Sequence, residues 1–490
     1  VPPNNSSTPK QTQKLWCILI LFTAWQLTIT LLSDGFVLSF DESIWHYIGR
    51  NWFRNGLVPY TGGADNKSPF IFAVFGFSDW LFGVNYWFPR VLATLCQTLG
   101  IYFLYSIVQK IAGDRAALTA AFIYGMTLLW HATGSRFVAF TETYEVMLLL
   151  AAINRYLQAG KNTDLIWSGI LAGLAADFRL SAVFVILALV IYMLSRKRFL
   201  DLAWFTAGVI MGVMVLLLLC VASGISIQNL SLNMFTDNFS RGSAIDHTMA
   251  YKWQSFLSKF IYSPMAMLYP LAIAGLFVKK QQPGLIILWL VLTFTAINFI
   301  GIYDVVHLKE MLPPLAILNG CAIAYLSKKY RFRLRYALLL IGALLFPRME
   351  EAVRNAKIVL GEAPFKFSYG TVPYINPPEG DRKLLGRWVR DNTRPTDLVL
   401  VHSFGTQVQA YSERVSPSTY FNITQTPFAK ARFKHDLEQN KPAMILVPMF
   451  AEYDNLVDAD LRLFVQQLVE KGYHFERCLY NYKVYRVGKK

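Results

Sequence analysis

At 490 residues, with 54% hydrophobic, 15% aromatic and 16% charged side chains, the chain departs from the quarter-charged composition of soluble domains. Its formal charge of +16 could point to nucleic acid or to a membrane. The distribution decides: Lys and Arg stand in small clusters between long apolar runs and form no basic stripe, which argues against nucleic-acid recognition and fits a polytopic membrane protein.

A helix needs roughly 20 apolar residues to cross a bilayer core. Taken in chain order, such runs fall at 15–34, 86–108, 116–133, 143–158, 201–224, 257–278, 283–301, 310–327 and 334–347. The stretch 165–195 reads as two short spans broken near Ala176-Asp177-Phe178-Arg179. The predicted total is about eleven transmembrane helices, and the run from Leu15 reads as a retained span. Segment 69–84 is apolar but short and contains Asp79. Reading it as an interfacial or re-entrant helix puts every basic cluster on one side: Lys10/Lys14, Lys110/Arg115, Arg155/Lys161, Arg196-Lys197-Arg198, Lys279-Lys280, and Lys328-Lys329 with Arg331, Arg333 and Arg335. That choice gives a cytoplasmic N-terminus and an extracytoplasmic C-terminus.

The transmembrane domain is then 1–347, with 35–85 as the first outer loop, and 348–490 lies outside. From Pro377-Pro378 the texture changes to that of a soluble domain. Helices are predicted at 381–393, 426–439 and 458–472, and strands at 398–401 and 443–449, with a Tyr-rich strand pair at the end. This alternation implies a small α/β domain. Cys17, Cys96, Cys220, Cys321 and Cys478 contain no CxxC pair, so neither a disulfide framework nor a zinc site is expected. No cofactor is expected either, although a surface carboxylate could hold a divalent metal.

Just past the first span stands Phe40-Asp41-Glu42. Paired carboxylates at a membrane surface carry a desolvation cost, and one could take a proton from an acceptor hydroxyl. An isolated pair would more often cap an interfacial helix. This pair continues as Ser43-Ile44-Trp45-His46-Tyr47-Ile48-Gly49-Arg50, then Gly56-Leu57-Val58-Pro59-Tyr60, Asp65-Asn66-Lys67-Ser68-Pro69, Phe82-Gly83-Val84 and Pro89-Arg90.

The run resembles the first outer loop of GT-C glycosyltransferases that use polyprenyl-phosphate sugars, in particular bacterial proteins similar to protein O-mannosyltransferases and the lipid A aminoarabinose transferase. The likeness spans roughly 15–330, and its specific part is 40–90. Two departures stand out: Lys67-Ser68-Pro69 replaces the usual Lys-Pro-Pro, and Ile44 stands where an Arg is common. The resemblance implies a general base at Asp41, a supporting carboxylate at Glu42 and a phosphate-binding Lys67. A fixed cation there would stabilise the charge growing on a phosphate leaving group. Read alone, Lys67 is equally an interfacial lysine reaching for headgroups.

Glu142 and Glu145 sit three apart on one helical face at the outer end of the fourth span. Glu142 better matches the family's second acid, although a helix N-terminus favours an acid in any case. Arg179 interrupts an apolar region at an outer turn, Arg241 follows Asp237-Asn238-Phe239-Ser240, and His307 and Lys309 precede Met311-Leu312-Pro313-Pro314. As a group these basic residues are candidates for the donor phosphate or sugar. Each alone reads as an interfacial anchor. His402 reads as a structural histidine. The C-terminal domain shows no triad or phosphate-binding loop, and an acceptor-binding or lid role is compatible with it.

The expected activity is an inverting transfer of a hexose or pentose from a polyprenyl-phosphate donor to a hydroxyl of a glycolipid, cell-surface glycan or protein at the outer face of the membrane. The alternatives are a transporter or flippase for a lipid-linked or anionic solute, or a membrane-anchored binding protein. A transporter would place its polar groups near the bilayer midplane, often on repeated elements. Here they sit at the outer ends of spans, and no internal repeat is visible.

Overall fold

The computed structural model describes residues 9–32, 38–130, 139–237, 249–261, 264–278, 282–300, 305–331, 333–335, 339, 342, 379–402, 405–422, 426–449 and 458–488. The chain divides into two compact units. The first comprises 1–33, 90–216 and 247–363, and the second 34–89, 217–246 and 364–490.

The first unit is helical. It contains α1 (Pro9–Leu32), α4 (Trp87–Ala112), α5 (Asp114–Trp130), α6 (Thr141–Gln158), α7 (Asn162–Phe178), α8 (Ala182–Ser195) and most of α9 (Phe199–Ser223). It closes with α11 (Met249–Phe256), α12 (Tyr269–Leu276), α13 (Pro283–Ile300) and α14 (Leu312–Lys329). The break at Arg179 predicted from the sequence separates α7 from α8. The span expected at 257–278 is not one continuous helix. A π turn at Leu257–Ile261 and a 3-10 turn at Pro264–Leu268 precede α12, because Pro264 and Pro270 supply no amide hydrogen for a helix ladder. The span expected at 334–347 lies mostly outside the described residues. By length and composition, α4 and α9 are apolar enough to cross a membrane, while Pro69–Phe82, Ala182–Ser195, Met265–Leu276 and Pro283–Asn298 are shorter apolar helical stretches.

Within this unit α5 packs on α1 and α14, α6 on α7, α12 on α14, and α13 on α8. Helices α7 and α9 approach through glycines: a Cβ on Gly169 would stand 2.1 Å from the Phe205 carbonyl oxygen, and one on Gly208 would stand 2.1 Å from that of Ile166. Small residues at such a crossing let backbones meet where no hydrophobic drive pulls helices together.

The second unit holds α2 (Phe40–Asn55), α3 (Pro69–Phe82), the short α10 (Ile227–Ser231) and the C-terminal domain. Helix α3 starts on Pro69 behind the Ser68 cap and is 14 residues long, about 21 Å at 1.5 Å per residue. That is short of a roughly 30 Å hydrocarbon core. Phe77, Trp80, Leu81 and Phe82 point outward while Asp79 is fully buried. Gly49 and Gly76 let α2 and α3 cross at backbone contact.

The C-terminal domain adds α15 (Glu379–Asp391), α16 (Thr406–Ser412), α17 (Pro427–Gln439) and α18 (Ala459–Gly472) to strands β1 (Val399–Val401), β2 (Met444–Pro448), β3 (Tyr473–Leu479) and β4 (Tyr482–Val487). The sheet order is β1-β2-β4-β3. β1 and β2 are parallel, with Leu400 opposite Ile445, and the other pairs are antiparallel. Tyr480 and Asn481, both at positive φ, make the two-residue turn that suits the twist of the β3–β4 hairpin. Leu400, Phe433, Leu437, Ile445, Leu461 and Val465 form a core on one face. Helix α16 did not emerge from the sequence pattern.

Candidate active site

Helix α2 begins in a capping box. The Ser39 side chain accepts from the Glu42 amide at 3.3 Å, and the Glu42 carboxylate accepts from the Ser39 amide at 2.9 Å. Glu42 is therefore fully buried and committed to the helix start, whereas its neighbour Asp41, one residue earlier in the first turn, is half-buried. The two carboxylates that look alike in sequence have different environments.

Lys67 lies at the end of the turn that precedes α3. Tyr60 donates its hydroxyl to the Lys67 carbonyl at 2.6 Å, and Trp45 Nε1 donates to Asp65 at 3.0 Å, so the backbone around Lys67 is tied to α2. The side chain itself is half-buried and forms no ion pair among the described residues. A lysine with a fixed backbone and an uncommitted ammonium can serve an incoming anion.

Behind α2 lies a charge network absent from the sequence reading. Asp79 accepts from Arg50 at 2.8 Å and from Arg54 at 2.5 Å, and Arg50 also meets Glu413 of the C-terminal domain at 2.5 Å. His46 Nε2 is 3.4 Å from Asp79. Burial is the main cause that pushes the His46 pKa down to about 4, with Asp79 partly opposing it. The signal was available, since Arg50 and Arg54 stand four apart on one helical face and Asp79 is the one acid in an otherwise apolar helix.

In the first unit, Glu142, Arg179 and His307 do come together. Arg179 pairs with Glu142, with Glu310 at 2.8 Å, and with Glu145 at 3.7 Å. Burial disfavours the guanidinium charge, but these carboxylates outweigh it and raise the pKa of Arg179. His307 Nδ1 is 2.9 Å from Glu142 and 2.8 Å from Arg179 Nη2. Ser181 Oγ, which accepts from Arg179 Nε, lies 3.0 Å from Glu145 Oε1 and 2.9 Å from Glu310 Oε1. Lys309 is buried, with its ammonium 5.7 Å above the Phe140 ring. A small cavity beside it is lined by Cys96, Gln97, Tyr124, Glu142, Thr143 and Lys309.

Glu310 and Ser181 were not singled out from sequence, because one follows Lys309 in a 3-10 turn and the other is an ordinary Ser before an apolar helix. Arg241 lies outside the described residues. His402 is buried against Phe433, with ring centroids 6.0 Å apart, and burial lowers its pKa to about 3.

Compared with known proteins, the fold is similar to those of ArnT and of an archaeal oligosaccharyltransferase. Residues 66–224 match the family model described as dolichyl-phosphate-mannose-protein mannosyltransferase. The chain is similar in structure to ArnT from Cupriavidus metallidurans bound to undecaprenyl phosphate, with a TM-score of 0.64 at 15% identity, covering 97% of this chain and 99% of that one. The apo state of ArnT gives 0.63 at 16% identity over the same shares. An Archaeoglobus fulgidus oligosaccharyltransferase tethered with an acceptor peptide gives 0.52 at 12% identity, covering 97% of this chain and 74% of that one. No curated protein matches the sequence. Family model and fold together support a membrane glycosyltransferase.

Proposed function

We propose that the chain moves a sugar from a polyprenyl-phosphate donor to an acceptor hydroxyl at the outer face of the membrane, with Asp41 as general base. One observation carries the assignment: of the two adjacent acids, Glu42 is buried in the helix cap and Asp41 is the one solvent reaches. The similarity to ArnT bound to undecaprenyl phosphate supports the class of donor.

In the proposed step the Asp41 carboxylate takes the proton of the acceptor hydroxyl, and that oxygen attacks the anomeric carbon. The bond from this carbon to the phosphate oxygen breaks on the opposite face, its electron pair leaves with the lipid phosphate, and the configuration inverts. The Lys67 ammonium stabilises the phosphate as its charge grows. Lys67 suits this role better than Arg179, whose charge Glu142 and Glu310 already match. The Glu142, His307 and Lys309 cluster is the second candidate for donor contact, and the lipid tail would be held from within the membrane. We infer that the helices of the first unit cross the membrane with the N-terminus cytoplasmic and both candidate sites outward.

The test is transfer of radiolabel from a panel of polyprenyl-phosphate sugars in membranes carrying wild type or Asp41→Asn. Transfer by wild type and its loss in the variant is expected. Equal transfer by both removes Asp41 as the base, and no transfer from any donor by the intact protein overturns the activity. Among the described residues no group of three or more His, Cys, Asp or Glu is placed to hold a metal ion. We propose no metal requirement: loss of transfer in a chelator, restored by added Mg²⁺ or Mn²⁺, would overturn that.

A further inference from the structure

The C-terminal domain is held to the first outer loop on both sides of the proposed catalytic residues. On the Asp41 side, Thr406 Oγ1 lies 2.7 Å from Ser43 Oγ, and the two hydroxyls stand 3.3 and 2.6 Å from the Phe40 carbonyl oxygen. Phe40 and Ser43 are the residues that bracket Asp41-Glu42. One residue before the Ser39 cap, the Leu38 amide donates to the Tyr411 hydroxyl at 3.0 Å. Both Thr406 and Tyr411 belong to α16, and both are buried.

On the Lys67 side, the Ala64 amide donates to the Thr419 carbonyl at 2.8 Å, and the Thr419 hydroxyl donates to the Thr61 carbonyl at 2.9 Å. Ala64 is fully buried within the apolar core that the C-terminal domain builds around Leu400, Phe433 and Ile445. The loop ahead of Lys67 is thus a structural part of that domain.

A lid must leave and return. Opening this contact would exchange the Leu38–Tyr411 and Ser43–Thr406 hydrogen bonds for bonds to water, and it would pull Ala64 out of an apolar core. Each exchange costs about 0.5–1.5 kcal/mol net, so a lid motion here would work against several contacts at once. A domain devoted to acceptor capture would not need to enclose the start of α2. The contacts instead fix where Asp41 and Lys67 stand, and a general base and a phosphate-binding cation act only from defined positions.

We propose that the C-terminal domain is a fixed clamp, in which Thr406 and Tyr411 are positioning residues for Asp41 and Thr419 positions the Lys67 loop. This rests on the reading of Asp41 as the base. A positioning residue differs from a merely stabilising one in its signature: the domain stays folded and the donor still binds, but the chemical step slows and the α2 start loosens locally.

The experiment uses the full-length protein in detergent or nanodiscs with the donor that wild type accepts. Thr406→Val combined with Tyr411→Phe removes both hydroxyls with little change in shape, and Thr406→Ser is the conservative control. Initial rates against donor and acceptor concentration are measured together with hydrogen exchange of residues 38–46 and of strands β2 and β4.

The expected result is a kcat lower by about tenfold to a hundredfold, with donor and acceptor KM within about twofold of wild type. Exchange should be faster at 38–46 and unchanged in β2 and β4, and Thr406→Ser should keep near-wild-type kcat. Faster exchange with unchanged kcat overturns the proposal, and so does unchanged exchange at 38–46. A raised acceptor KM at constant kcat overturns it in favour of acceptor binding. Asp41→Asn, run in parallel, separates the two levels. Loss of transfer there, with the clamp variant at wild-type rate, refutes the clamp and leaves the base reading standing. Full activity of Asp41→Asn refutes the base reading, and the clamp as stated goes with it.

Discussion

Replacing each member of the Asp41-Glu42 pair separately should give opposite outcomes. Glu42 accepts a hydrogen bond from the Ser39 amide at 2.9 Å, and both residues are fully buried. In Glu42→Ala that amide loses its partner and cannot reach water, a cost of about 1–3 kcal/mol. Glu42→Gln keeps an acceptor oxygen and loses only the charge beside the helix N-terminus, worth about 0.3–1 kcal/mol. Asp41→Asn costs about as little in stability, but it removes the base and should slow transfer on the order of a hundredfold to ten-thousandfold. The assay pairs the apparent unfolding midpoint in detergent with initial transfer rates at saturating donor. Glu42→Gln should be active and slightly less stable, Glu42→Ala clearly less stable, and Asp41→Asn stable and inactive. A Glu42→Gln protein with a wild-type midpoint and the same rate loss as Asp41→Asn would refute the division of labour.

Asp79→Ala leaves Arg50 and Arg54 without their shared carboxylate. Because Arg54 is partly exposed and Arg50 keeps Glu413, the loss should sit near the low end for a broken buried pair, about 3 kcal/mol. Arg155→Ala, which breaks an exposed pair with Asp164, should cost under about 1 kcal/mol, and equal midpoint shifts in the two variants would contradict the network. Gly169→Ala drives a Cβ toward the Phe205 carbonyl oxygen and should destabilise by about 1–3 kcal/mol. Gly160→Ala, with nothing within 4 Å, should not, and size-exclusion profiles after graded heating distinguish the two. His46 is held neutral, its pKa down from 6.5 to about 4. Its contribution is therefore fully present above pH 6.5 and is lost as pH falls toward 4, about 3 kcal/mol in all. Midpoints of wild type and His46→Gln measured from pH 7 to pH 4 should show the steeper fall in wild type, and parallel curves would refute it.

Much of this protein is legible from local pattern. Hydrophobic run lengths located most of the helices and the break at Arg179, short continuous apolar runs located β1 and β2, and Tyr-rich composition located the β3–β4 pair. The ordered run from Asp41 to Arg90 carried the family likeness because it is local in sequence. Pattern failed where local rules compete: proline breaks up 257–278, and α16 is too short to show a period.

What the tertiary structure alone decided are the roles of individual polar groups. Asp41 and Glu42 are chemically near-equivalent neighbours, and they separate through the Ser39-x-x-Glu42 capping box, a local pattern in the sequence whose burial only the packing around α2 reveals. Asp79 looked like a blemish in an apolar segment until α2 brought Arg50 and Arg54 against it. Arg179 looked like a cation awaiting an anion, but Glu142 and Glu145 of α6 and Glu310 of a 3-10 turn already surround it. The sequence by itself determined where most helices and strands form, because that follows from periodicity and hydropathy. Which charges are spent on the fold and which remain for chemistry depends on partners from 25 to 363 residues away, as Arg54–Asp79 and Arg50–Glu413 show, and only packing brings those together.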